Sequence, residues 1–184
     1  MKIEDNFLDQ DEFKEIQGSF LGKEIPWHYS DTVVYGKDDS GKIKGVIKDG
    51  NFQFVHMFYT QHAPISPYLE KLNPILEKIR PTALYRIKAN LITSTIEPVK
   101  HDFHVDIGNY DNPERETIYP EKLKIFTTSI FYLNTNDGFT ELEDGTIINS
   151  VENRFVTFPA NIKHRGTSCT DKNIRMVINF NYIK

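Results

Sequence analysis

Beyond Pro81 the chain becomes a succession of short strand-like runs, at 84–92, 101–107, 126–134, 146–148, 154–158 and 174–182. Each is rich in aromatic or β-branched residues and is set off from the next by a turn. Repeated short strands divided by such turns predict a sandwich or jelly roll. Asn136-Asp137-Gly138 and Glu143-Asp144-Gly145 are expected to supply positive-φ positions and to join neighbouring antiparallel strands.

The N-terminal part reads differently. Phe13, Ile16 and Phe20 recur at helical spacing and predict a helix over 9–20, followed by a strand at 27–35. A polar turn at 37–41 leads into a stretch punctuated by Gly45 and Gly50, and 53–59 is another strand candidate. Ser66 and Pro67 suit the cap and first position of a second helix whose apolar face is Leu69, Leu72, Ile75, Leu76 and Ile79. Pro81 stops that helix, and Pro74 is expected to kink it.

The 184 residues fit one domain, 1–184, in which 1–83 supply helical and strand support and 84–184 the β core. The net charge of −4 comes from interspersed acids and bases, so a nucleic-acid partner is unsupported. Cys169 stands alone, which excludes an internal disulfide and fits a reducing compartment. No apolar leader follows Met1 and no run approaches a membrane span, so a soluble, cytoplasmic protein without a membrane partner is expected.

His104 and Asp106 are two residues apart, a spacing that in a strand sends both side chains to one face, with His101 expected on the other. Such a pair arises readily by chance in a chain with 6 His. It gains meaning from His164 and from Arg175, which opens an apolar strand eleven residues later. Two imidazoles and one carboxylate form a facial triad suited to Fe(II), leaving the opposite positions open; zinc accepts the same ligand types. A guanidinium meets a carboxylate through two parallel hydrogen bonds.

In these blocks, together with Tyr85-Arg86-Ile87-Lys88-Ala89-Asn90-Leu91 and Thr128-Ser129-Ile130-Phe131-Tyr132-Leu133-Asn134, the chain resembles the 2-oxoglutarate and Fe(II)-dependent oxygenases. The resemblance is to the prolyl 4-hydroxylase-like branch, and most of all to its small phage-encoded members. It covers about the last hundred residues and implies a mainly β fold with flanking helices, a double-stranded β-helix of the jelly-roll, cupin-like kind. It further implies His104, Asp106 and His164 as iron ligands and Arg175 as the anchor of the distal carboxylate of 2-oxoglutarate. Tyr132 would assist that arginine, Asn90 would line the pocket, and Thr167 would add a contact.

The activity so implied is oxidative decarboxylation of 2-oxoglutarate with Fe(II) and O₂, coupled to hydroxylation of an unactivated C–H bond. Peptide side chains, proline first, are the expected substrates, approaching over the loop at 109–121. Asp106, where a halogenase needs a vacant position, argues for hydroxylation. The rivals are the same chemistry on a small molecule or nucleobase, a non-catalytic metal-binding jelly-roll module, and a zinc enzyme, which has no need of Arg175. His28, His56 and His62 read as core or surface histidines, Cys169 as a buried filler, and Arg86 with Lys88 as a solvated strand edge.

Overall fold

The computed structural model describes residues 1–33, 35–37, 43–45, 52–107 and 123–184. The expected turn following Lys37 and the expected loop at 109–121 lie outside them. In chain order the strands are β1 (Lys2–Glu4), β2 (His28–Ser30), β3 (Tyr35–Lys37), β4 (Ile43–Gly45), β5 (Gln53–Thr60), β6 (Ala63–Pro64) and β7 (Ala83–Thr93). They continue with β8 (Thr127–Tyr132), β9 (Phe139–Leu142), β10 (Ile147–Asn149), β11 (Arg154–Pro159), β12 (His164–Gly166) and β13 (Ile174–Ile183). Helix α1 spans Gln10–Leu21, and a 3₁₀ turn at Leu69–Leu72 leads into α2 at Asn73–Ile79.

The large sheet runs β1-β11-β8-β13-β7-β5-β2, with β6 on β5; a smaller one runs β10-β9-β12, and β3 pairs with β4. All these pairings are antiparallel, and the architecture is a double-stranded β-helix with flanking helices. Strands β1, β2 and β5, from the first third of the chain, complete the large sheet.

Side-chain parity along the central strands divides the interior in two. On β13, Met176, Ile178, Phe180 and Tyr182 face the helices, where they pack with Ile87 and Ala89 of β7, Phe131 of β8, and Phe13, Ile16 and Phe20 of α1. Burying each of these large side chains contributes about 1.5–3 kcal/mol. The alternate residues face the smaller sheet, where Ile130, Tyr132, Val156, Phe158 and Val177 meet Leu142 and Ile148. The polar residues Arg86, Lys88 and Asn90 share this second face, so the space between the sheets is only partly closed by apolar groups.

Several expectations require correction. Pro74 does not kink a long helix: α2 begins at Asn73, placing Pro74 in its first turn, where a missing N–H leaves no bond unmade. Ser66 does not cap it, because its hydroxyl contacts His56 Nε2 at 2.8 Å and accepts from Tyr68 N at 3.1 Å. Asn136-Asp137-Gly138 is not a hairpin turn; it carries the chain from β8 in one sheet to β9 in the other, and Gly138 has no positive φ. Glu143-Asp144-Gly145 does join the antiparallel neighbours β9 and β10, with Gly145 at φ +86°. Finally, 101–107 is not a regular strand, since its ladder reduces to an isolated bridge between His104 and His164.

Candidate metal and anion site

The bridge between His104 and His164 is where the site begins. His104 N donates to His164 O at 3.0 Å and His164 N to His104 O at 2.9 Å, which holds the two rings 4.7 Å apart. Asp106, in the bend after the bridge, places Oδ1 3.9 Å from Nε2 of each histidine. One donor atom from each of the three lies within 4.8 Å of the others. His101, expected to face away, lines the same cavity, because the segment does not keep strand alternation.

Electrostatics keep all three groups in their ligating forms. Burial pushes the His104 imidazole down to about 4, with His164 adding to the effect and Asp106 opposing it. Burial also lowers His164, against the pull of Asp106 and of the Ile162 backbone, and neither of its ring nitrogens has a partner at normal hydrogen-bond geometry. For Asp106, burial alone would raise the carboxyl, but Arg86 and the two histidines hold it well below the usual carboxylate range. Two neutral imidazoles with a buried, orphaned donor and one ionised carboxylate fit a divalent transition-metal ion.

Around Asp106 is a shell that the sequence reading missed. Arg86 Nη2 stands 2.7 Å from Asp106 Oδ1, while the Asn181 and Asn179 amides donate to Oδ2 at 3.2 and 3.4 Å. Arg86 Nε in turn donates to Asn181 Oδ1 at 3.1 Å. Arg86 and Lys88 do not form a solvated edge, because β7 lies between β13 and β5 inside the sheet. The signal that was available was the polar alternation Arg86-x-Lys88-x-Asn90 in a strand otherwise suited to the core, matched by Asn179-x-Asn181 on β13.

Further along the same cavity is Arg175, only 2% exposed. Its Nε donates to Ser150 Oγ at 2.8 Å and its Nη2 to Thr140 Oγ1 at 3.0 Å. Among the described residues no carboxylate lies within ion-pair distance of it. Burial lowers its pKa, and Tyr132, whose ring centroid is 5.7 Å from the guanidinium, opposes that. Gly138 makes room: a Cβ there would stand 2.7 Å from Arg175 Cδ.

The other expected contacts divide. Asn90 lines the cavity. Tyr132 does not reach the wall; it is fully buried behind Thr140, to whose Oγ1 its hydroxyl donates at 2.8 Å. Thr167 is placed elsewhere, because its Oγ1 accepts from Phe139 N at 2.9 Å and is held against β9, leaving the wall to Gly166. Thr140, absent from the sequence reading, is the hydroxyl that joins Arg175 and Tyr132 at the cavity surface.

The fold belongs to the class on which 2-oxoglutarate–Fe(II) oxygenases are built. A prolyl hydroxylase from Trichoplax adhaerens, in complex with a hypoxia inducible factor oxygen degradation domain peptide fragment, superposes with a TM-score of 0.61 at 14% identity, over 99% of this chain and 82% of that one. HygX from Streptomyces hygroscopicus, with nickel and 2-oxoglutarate bound, gives 0.60 at 8% identity, over 98% and 81%. An oxidoreductase of the 2OG-Fe(II) oxygenase family from Burkholderia pseudomallei gives 0.57 at 11%, over 97% and 82%. No family model and no curated protein matches the sequence.

Proposed function

We propose that this chain is a non-haem Fe(II), 2-oxoglutarate-dependent dioxygenase that hydroxylates an unactivated C–H bond. The observation that carries this reading is Arg175, a buried guanidinium without an acidic partner among the described residues, in the same cavity as His104, Asp106 and His164. A buried cation left uncompensated is costly, and a carboxylate ligand reverses that cost. Metal hydrolysis with zinc would use the three ligands and leave the guanidinium without a role.

His104, Asp106 and His164 would hold the metal, which, when bound with 2-oxoglutarate and O₂, supplies oxidative decarboxylation to succinate and CO₂ coupled to C–H hydroxylation. Arg175 receives the distal carboxylate of the co-substrate on its planar fork. Thr140 Oγ1 accepts from both Tyr132 and Arg175, so its own proton remains to be donated to the same carboxylate. Tyr132 therefore acts through Thr140. Arg86, Asn179 and Asn181 fix the orientation of the Asp106 carboxylate. Ile92, Ile130 and Val177 line the cavity between these polar groups and limit water.

A peptidyl side chain, proline first, is the leading substrate, in keeping with the peptide held by the Trichoplax enzyme. A small molecule is the second reading, in keeping with HygX, whose structure has also been determined with hygromycin B bound, at a TM-score of 0.58. The test begins with anaerobic addition of Fe(II) and 2-oxoglutarate, which should produce a weak visible charge-transfer band. Admission of air should then give succinate, and Asp106→Ala should abolish both signals. Absence of band and succinate in the wild-type protein removes the enzyme reading.

A further inference from the structure

Resting on that reading of the site, we propose that Lys88 selects the primary substrate, its ammonium receiving an anionic group, in the first instance a carboxylate, carried beside the C–H bond that reacts.

The β7–β13 ladder sets its position. Across it Ile92 faces Arg175, Asn90 faces Val177, Lys88 faces Asn179 and Arg86 faces Asn181. Asn179 donates to Asp106, so Lys88 is level with the metal ligands and lines the cavity they share. It lies about 13 Å of strand from the Arg175 level, with Asn90 between. A five-carbon diacid reaching inward from Arg175 meets Asn90 first, which leaves Lys88 facing the space where a second molecule must enter.

Charge balance points the same way. Among the described residues Lys88 has no ion pair and no hydrogen bond, and the nearby Asp106 carboxylate is already engaged by Arg86 and two amides. Arg86 and Asp106 cancel, and a dianionic co-substrate cancels a divalent ion. The cavity then keeps a net positive charge, and with Arg175 on the distal carboxylate the Lys88 ammonium is the cation left without an anion of its own. Burial, reinforced by Arg86 and only partly offset by the Asp106 carboxylate, pushes the Lys88 ammonium down to about 8. An anionic substrate supplies the partner; a neutral or cationic one leaves the ammonium stranded or repels it.

The test uses the full chain loaded with Mn(II) and saturated with 2-oxoglutarate, and follows paramagnetic broadening of the proton signals of benzoate and of benzamide. Benzoate should be broadened and benzamide at the same concentration should not. Lys88→Met should weaken benzoate binding at least about tenfold, corresponding to about 1.4 kcal/mol. Lys88→Arg should retain the preference. The Kd for 2-oxoglutarate should change by less than about threefold in Lys88→Met, which also shows that the variant is folded.

Equal broadening of the two probes, or benzoate binding that survives Lys88→Met, overturns the proposal. A tenfold loss of 2-oxoglutarate affinity in Lys88→Met also overturns it, by assigning the ammonium to a co-substrate carboxylate. If the wild-type protein binds neither Mn(II) nor 2-oxoglutarate, it is the dioxygenase reading that fails, and this proposal with it.

Discussion

His104 and His164 exchange both backbone hydrogen bonds across an isolated antiparallel bridge, and their rings are thereby held 4.7 Å apart with Asp106 Oδ1 3.9 Å from each Nε2. Three donors converge without a regular strand through 101–107. The geometry depends on what holds Asp106 from behind and on what keeps both imidazoles neutral.

Arg86 is the main support of Asp106. Its replacement by Met leaves a carboxylate, 3% exposed, without its cation, held only by the Asn179 and Asn181 amides. The metal-free variant should lose about 3 kcal/mol of stability, read as a lower urea midpoint. Mn(II) affinity should fall by roughly ten- to a hundredfold. A variant with unchanged Mn(II) affinity would show that Arg86 does not orient the ligand.

Arg175→Met should separate stability from binding. Among the described residues the guanidinium's hydrogen-bond partners are both hydroxyls, so an apolar side chain of similar length should leave the Tm of the metal-free protein level or raise it. The Kd for 2-oxoglutarate should rise about a hundredfold, close to 3 kcal/mol. Isothermal titration of the Mn(II)-loaded variant checks this, and an unchanged Kd would mean that the anchor lies elsewhere.

Gly138→Ala should reproduce the binding defect without altering any polar group. The added methyl would stand 2.7 Å from Arg175 Cδ and 2.8 Å from Ser168 O, forcing the arginine out of line at about 1–3 kcal/mol. Gly145→Ala has open space around it but a φ of +86°, so it should cost about 1 kcal/mol of stability and leave 2-oxoglutarate affinity intact. Equal affinities in the two variants would contradict the close-approach argument.

Acid should destabilise the metal-free protein. His56, His104 and His164 are all lowered by burial, His104 to about 4. The unfolded chain takes up these protons first, near the ordinary imidazole value of about 6.5. The corresponding stability is complete above that pH and is lost as pH falls toward about 4, with His104 alone accounting for on the order of 2–3 kcal/mol. Thermal melts should show Tm dropping by about 5 °C or more between pH 7.5 and 5; a level or rising Tm would refute the assignment of neutral buried histidines.

The sequence by itself determined the β-rich architecture and two helical segments, which follow from local physics: aromatic alternation, helical spacing and turn chemistry. It also picked out His104, Asp106, His164 and Arg175 as candidates, through the few residue types able to bind a metal or grip a carboxylate and through the resemblance of the blocks that carry them. The tertiary structure decided what lies behind them. Whether β7 was an edge or an interior strand settled whether Arg86 and Lys88 met water or the cavity, and that depends on pairing with β5 and β13. Thr140 became the link between Tyr132 and Arg175 only because β9 crosses to the smaller sheet, and Thr167 was turned onto β9 by the same crossing. Neighbours within a strand obey a period that can be read from residue order, whereas partners across sheets are chosen by register, and register is a property of the folded chain as a whole.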